Sequence, residues 1–388
     1  MRKFVRVWIA GVLLCTMLFC TSCGSSPIAK TLFVQAVGVD QKDEGYTVAV
    51  QAFDPSQGGG GEEGANVSTT FIQAEGETVL SSFNNMTRQV GRRPFYAQNR
   101  VVILGEDLSQ SGILSVMDVF SRSKDSRPMI DIFVARGQAV EAVSNTMEDS
   151  VNPAEKMQLL VEGGQSNGAM PRTQILDVQK ALLDPYTDLL LPAVRLEEPK
   201  EEGGSQTMVM DSTALFQDDK LVDYLDMEET RGVLWIKGQV KDGLVSFSSE
   251  DLGNVTLAVE ETSSKVEAEG SEDGPVFSIT VTAKANIQEI NLDSTFRLAD
   301  DQIEKLEDGF AEKVSGQMEL AVNKVLREKQ CDVFQFARLL MHEDTDYWQT
   351  IQDNWREELS KAEVNITVGC EIERMGKLSN IQEEDQYN

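Results

Sequence analysis

The first 23 residues decide where the rest of this chain must fold. Arg2, Lys3 and Arg6 precede an apolar run of fourteen residues, Val7 to Cys20, and the run gives way to Thr21-Ser22-Cys23. A basic start, a short apolar stretch and small residues before a cut site make a secretory signal. The run is shorter than the roughly 20 residues of a membrane-spanning helix. A Cys directly after Thr-Ser is the junction of a bacterial lipoprotein signal, where the sulfur is acylated before cleavage. The sequence therefore predicts a signal peptide over residues 1–22, lipid attachment at Cys23 and a lipidated tether over 23–31. Each buried CH₂ contributes about 0.8 kcal/mol, so two acyl chains hold where one does not. No later apolar stretch approaches 18 residues, so no further membrane-spanning segment is expected.

The charge balance narrows the partners. The chain has 35 basic and 64 acidic residues, and residues 1–22 hold three of the basic and none of the acidic ones, which leaves a mature net charge of −32. That argues against nucleic acid, and against a polybasic lipid-binding face. Of five cysteines, Cys23, Cys331 and Cys370 survive processing, which is no disulfide framework. Cys370 falls on the apolar side of an alternating run, Val364, Ile366, Val368, Cys370, Ile372. A buried free thiol is the expectation for it, although an exported chain permits one bridge to Cys331.

Hydrophobic periodicity divides the mature chain into three α+β parts. An N-terminal domain over residues 32–196 mixes strands at 32–40, 46–52, 68–74, 100–105, 129–135 and 189–194 with helices. The acidic, Pro- and Gly-containing stretch 197–206 reads as a linker. Residues 207–290 read as a small, mostly antiparallel β domain, with strand-like runs at 212–216, 221–225, 231–238, 244–248, 254–261 and 276–283. From Asp300 the period turns helical: Ile303, Leu306, Phe310, Val314, Met318, Val322 and Val325 recur every three or four residues behind an Asp cap. A second helical region with Trp348, Ile351, Trp355 and Leu359 on one face, then a strand over 364–372, completes a helix-rich C-terminal domain at 291–376, followed by a polar tail at 377–388.

Catalytic patterns are few. Gly164-Gln165-Ser166-Asn167-Gly168 matches the G-x-S-x-G nucleophile elbow, which needs a strand before the Ser and a helix after it. Here a helical stretch comes first, and the sole histidine, His342, lies far along the chain beside Glu343 and Asp344. One His and two remaining thiols fall short of a zinc set. The Gly58–Gly61 run lacks the Lys and Ser/Thr of a phosphate loop, and Asp344-Thr345-Asp346 lacks the Gly and terminal Glu of a calcium loop. Acid pairs such as Glu228-Glu229 and Glu260-Glu261 are expected by number alone among 64 acids. No catalytic, cofactor-binding or metal residue is therefore assigned.

Several segments together resemble the Ger(x)C family, the lipoprotein C subunits of spore nutrient germinant receptors. They are the stretch from Ala214 to Leu225, Glu228 to Trp235 with Thr230-Arg231-Gly232 inside it, Asp332 to Phe336, Tyr347-Trp348, Trp355, and Val364 to Gly376. Ala36 to Asp40 and Arg100 to Asp107 agree as well. Two positions depart from the family pattern. Gly24-Ser25-Ser26 stands where a Trp-Asp-Arg type of stretch is common, and Gln98 stands where a His is common. The resemblance implies a three-domain α+β protein on the outer face of the spore inner membrane, acting with A-type and B-type integral-membrane subunits. It brings no catalytic residues and no cofactor.

Two other functions compete. A solute-binding lipoprotein of an envelope transporter would have two similar lobes around a cleft. An envelope serine hydrolase would use Ser166 with His342 as its base.

Overall fold

The computed structural model describes residues 31–53, 69–124, 126–145, 153–199, 206–249, 251–290 and 298–372. The signal peptide, Cys23, the tether up to residue 30 and the polar tail lie outside them. The chain is α+β.

The first half is organised on a nine-stranded mixed sheet. Its strands are β1 (Thr31–Lys42), β2 (Gly45–Phe53), β3 (Thr69–Gly76), β4 (Arg93–Phe95), β5 (Val101–Leu104), β6 (Asp131–Ala135), β7 (Leu189–Glu197), β8 (Thr207–Gln217) and β9 (Lys220–Leu225). They run in the order β3-β2-β1-β5-β6-β7-β8-β9, with β4 beside the start of β1. The middle strands β1, β5, β6 and β7 are mutually parallel, and both flanks are antiparallel. Parallel strands buried on both faces read as continuous apolar runs, as Val101–Leu104 does. One face is covered by α1 (Val79–Val90), α2 (Glu106–Ser111), α3 (Leu114–Arg122) and α6 (Ile175–Leu182), through Val79, Met86, Leu108, Val116, Phe120 and Val178. The other is covered by α4 (Ala139–Ser144) and α5 (Pro153–Ser166), through Ala139, Val143, Met157 and Val161.

The second half has a four-stranded sheet, β10 (Gly243–Ser249), β11 (Gly253–Ser271), β12 (Gly274–Ile290) and β13 (Glu363–Ile372). The first three form an antiparallel meander, and β13 returns parallel to β12. Its inner face packs on α7 (Met227–Ile236), α8 (Asp300–Val322), α9 (Phe336–Glu343), α10 (Thr345–Ile351) and α11 (Trp355–Lys361). A π-helical turn, Asn323–Glu328, extends α8. The aromatic stripe expected for the C-terminal part is core: Trp348 and Trp355 sit 5.2 Å apart, and Phe336 stacks on Phe277 at 4.1 Å.

Four expectations change. Residues 197–206 do not separate two sheets, because β7 and β8 pair on either side of them from Leu189↔Phe216 to Glu197↔Thr207. The strands expected to open the middle β part, 212–216 and 221–225, therefore complete the first sheet, and the second sheet begins only at β10. Leu190, Leu215 and Leu225 even pack into the core of the second half. The strand expected at 231–238 is α7. Asp226 caps it, accepting from the Glu229 N–H while Glu229 bonds back to the Asp226 N–H. A short apolar run such as Gly232–Ile236 fits a buried helix as well as a buried strand, and the capping box decides between them. At α8 the expected Asp cap is replaced by Gln302, whose Oε1 accepts from the Ala299 N–H, and Asp300 sits in the first turn.

Candidate functional site

The segments that carried the family pattern fold into three tight junctions. In the first, Asp40 at the end of β1 caps α4. Its Oδ1 accepts from the Ala139 N–H at 2.7 Å and its Oδ2 from the Val140 N–H at 2.8 Å. These are two of the N–H groups that a helix start leaves unpaired. Burial pushes the Asp40 carboxyl upward, while these two bonds pull it back. Gly105 is required beside it, because a Cβ there would stand 2.0 Å from Asp40 Oδ1.

In the second, α7 lies directly against α8. A Cβ on Gly232 would meet the Gln317 carbonyl oxygen at 1.9 Å. Across this contact the buried Trp235 Nε1 donates to Gln317 Oε1 at 3.0 Å, and Gln317 Nε2 donates to Glu228 Oε2 at 3.2 Å. Burial opposes ionisation of Glu228, yet Lys313 and Gln317 hold its carboxyl below the usual range. Glu228-Glu229 is thus spent on a cap and a helix contact rather than on acid–base work.

The third junction joins the two halves. Asp188, just before β7, has a side chain only 1% exposed. Its Oδ2 accepts from the Asp332 N–H at 2.7 Å, its Oδ1 from the Asp218 N–H at 3.0 Å, and its own N–H donates to the Asp332 carbonyl at 3.0 Å. Arg356 of α11 closes the cluster with two bonds to Asp188, one to Asp218 at 2.7 Å and one to the Gln330 carbonyl at 3.1 Å. Asp332 turns the other way and caps α9, accepting from Phe336 and Ala337 at 2.9 and 2.8 Å. Burial pushes the Asp332 carboxyl up to about 6, and Asp188 adds to this, while the two N–H bonds and Lys237 oppose it. Among the described residues, the non-glycine positions with positive φ are Asp218 at +54°, Gln330 at +54° and Gln335 at +64°. All three flank this cluster. A left-handed residue costs about 1–2 kcal/mol, so the surrounding bonds hold strained backbone in place.

Every carboxylate of this junction is engaged, so it is built to hold two halves in register. Asp188 and Arg356 had no local signal in the sequence, and Asp218 was legible only as part of the family segment from Ala214 to Leu225. Asp332 was legible only as part of a family segment.

The residues considered for catalysis do not converge. Ser166 is the last residue of α5, and its Oγ donates to the Glu162 carbonyl at 2.9 Å. No strand precedes it, so it is not on an elbow. His342 is exposed in the last turn of α9. Its neighbours Glu343 and Asp344 accept from the backbone of β11 at Ala268 and Gly270. Cys331 is buried and free, and Cys370 is half-buried and free. Burial pushes both thiols up, that of Cys370 to about 12. Among the described residues no group of three or more His, Cys, Asp or Glu is placed to hold a metal ion, and no helix is long and apolar enough to cross a membrane. The two halves do not form the paired similar lobes that the solute-binding alternative expects, since one sheet has nine strands and the other four.

Residues 24–196 match the family described as spore germination protein N-terminal domain, and residues 211–376 match spore germination B3/GerAC like, C-terminal. The chain belongs to the GerAC family of spore germination proteins. Relatives within the GerAC family span nearly the same length. Spore germination protein B3 of Bacillus subtilis is 22% identical, with 90% of this chain and 92% of that protein covered. Spore germination protein YndF of the same organism is 23% identical, with 96% and 98% covered. The crystal structure of the GerBC protein superposes with a TM-score of 0.58 at 19% identity, covering 87% of this chain and 96% of that one. The GerAC assignment gives the shared segments a physical meaning: Asp40 and Gly105, Gly232 and Trp235, and Asp332 with its α9 cap are the joints of the fold.

Proposed function

We propose that this GerAC-family chain is the lipid-anchored, non-catalytic subunit of a nutrient germinant receptor. It is held at the outer face of the spore inner membrane through Cys23 and assembles there with an A-type and a B-type integral-membrane subunit. The observation that carries the reading is positional. The family match begins at Gly24, one residue after the Thr21-Ser22-Cys23 junction, and the two matched segments account for most of the mature chain. The relatives' names supply the process, and the three junctions described above supply scaffolding rather than chemistry. Anchoring confines the protein to a thin layer beside its partners, which raises effective concentration and lets modest polar interfaces hold.

The test compares wild type with Cys23→Ala in spores. Mass spectrometry of the mature N-terminus should find a diacylated Cys23 in wild type only. The variant should recover less of the two integral-membrane subunits on co-purification and slow nutrient-triggered germination. If an exported, stable Cys23→Ala protein supports both at wild-type levels, the anchored-subunit reading is wrong.

A further inference from the structure

The second sheet leaves β13 as an open edge. All ten of its residues pair with β12 in one unbroken register, from Val276↔Glu363 to Ala285↔Ile372. The other sheet edges are shorter or tied down. β3 has eight residues, and Asn85 Nδ2 donates to its Glu75 carbonyl at 2.8 Å. β9 has six and a register shift, and Lys324 and Lys329 hold its Asp223. β10 has seven. Natural edges carry charges, prolines or bulges that discourage further pairing. Residues 364–370 of β13, Val-Asn-Ile-Thr-Val-Gly-Cys, have none of these.

The two ends of β13 are held from α8 and the turn after it. Glu307 Oε1 accepts from the Ile372 N–H at 2.9 Å, and Arg327 Nη2 donates to the Ala362 carbonyl at 3.2 Å. Successive residues of a strand turn their N–H and C=O groups to opposite sides, so Val364, Ile366, Val368 and Cys370 share the edgeward direction of Ile372. Among the described residues no side chain bonds these edgeward groups between the two ends. The same four residues form the apolar row. They pack on the second core yet stay half-buried, while Asn365, Thr367 and Gly369 lie on the outer face and are exposed. Free backbone groups and uncovered apolar side chains are thus in phase along one flank.

We propose that β13 pairs antiparallel with β13 of a second copy of this chain, about a two-fold axis at Ile366, which joins two four-stranded sheets into one. A two-fold contact uses the same patch twice, so the patch must match itself. Over residues 363–369 it does. Ile366 meets Ile366, Val364 meets Val368, Asn365 meets Thr367 and Glu363 meets Gly369, so edgeward backbone groups face edgeward groups and the apolar rows align. Charge selects this register. Beyond the pairing, Glu371 runs toward the exposed Lys361 of the second copy. An axis at Thr367 sets Glu363 against Glu371, and an axis at Val368 sets Glu363 against Glu373. Like charges directly opposite are destabilising. β1 belongs to the other sheet, so the pairing neither uses nor blocks a tether at Cys23.

Mature chain carrying Cys23→Ser and Cys370→Ser keeps one thiol, the buried Cys331. In sedimentation equilibrium its mass should climb toward that of two chains as concentration rises. Val368→Pro removes only an edgeward donor, a change that edge strands tolerate, and should hold the mass at one chain. Cross-linking then reads the register and does not depend on that variant folding. Positions 365 and 367 face each other as a non-hydrogen-bonded pair, with Cα atoms about 4.5 Å apart, within disulfide range. Under oxidised glutathione, an equal mixture of Asn365→Cys and Thr367→Cys chains should form the disulfide-linked dimer at least about fivefold faster than either variant alone. A one-chain mass at every concentration, or equal cross-linking in the mixture and in the single variants, overturns the proposal. A dimer that forms only after residues 373–388 are removed gives the edge to the tail and overturns it as well. None of these outcomes depends on lipid attachment, so the anchored-subunit reading stands or falls separately.

Discussion

Arg356 reaches from α11 to the buried Asp188 at the base of β7, donating from Nη1 to Oδ2 at 2.8 Å and from Nη2 to Oδ1 at 3.1 Å. The two residues are 168 positions apart, and their contact ties the second half of the chain to the first sheet. Removing one member of a buried pair leaves the other uncompensated, at about 3–5 kcal/mol. Arg356 is 31% exposed, so water relieves part of this. Arg356→Ala should cost about 2–3 kcal/mol in urea unfolding. Arg356→Lys should recover less than half of that, since an ammonium cannot serve Asp188 and Asp218 together. A wild-type midpoint for Arg356→Ala would show that the clamp contributes nothing.

Asp332 gives the same junction a pH dependence of defined sign. Its carboxyl lies at about 6 in the folded chain against an ordinary 3.8. Between those values the folded state holds a proton that the unfolded state has released, so stability falls as pH rises. The contribution is fully present below 3.8, is lost through 6, and is on the order of 3 kcal/mol. Asp223, held down to about 2 by Lys324 and Lys329 against its burial, acts in the opposite sense below that window. The difference in unfolding free energy between wild type and Asp332→Asn should therefore slope between pH 4 and 7 and flatten above it. Parallel curves would refute the raised carboxyl.

How much of the fold was legible in the sequence depends on how local each signal is. The long helix from Asp300 was readable because one side stays wet, so Leu306, Phe310, Val314 and Met318 stand out at helical spacing. The α7 segment was misread because all of Gly232–Ile236 is buried, which erases the period. Its capping box at Asp226 and Glu229 was present in the sequence and outweighed by β-like composition. The pairing of β7 with β8 was hidden by the polar stretch between them, which looks the same whether it joins domains or closes a hairpin. The Asp188–Asp218–Asp332–Arg356 junction was out of reach, because only the tertiary fold brings these residues together and carboxylates are common in this chain.

The α7–α8 contact sets two glycines apart. Gly232→Ala places a methyl group into the Gln317 carbonyl and 2.8 Å from Ala321 Cβ, so the helices must separate. That should cost about 2–3 kcal/mol despite the better helix propensity of Ala. Gly316, within α8, has nothing within 4 Å of its Cβ position. There the same substitution should stabilise by about 0.5–1 kcal/mol. Chemical denaturation of the two variants checks both signs, and a neutral Gly232→Ala would show that the helices are not in close contact.

Cleavage between β7 and β8 separates the two readings of residues 197–206. A linker between independent domains would release two particles when cut. A hairpin connection would not, because Leu189–Glu197 and Thr207–Gln217 remain paired, and Leu190 and Leu215 stay buried in the core of the second half. Asp188 also stays bonded to Asp332 and Arg356 across the cut. A protease site placed within residues 200–205 should therefore yield a nicked protein that elutes as one species in native size-exclusion chromatography and splits only in denaturant. Elution as two folded fragments under native conditions would restore the linker and dissolve the nine-stranded sheet.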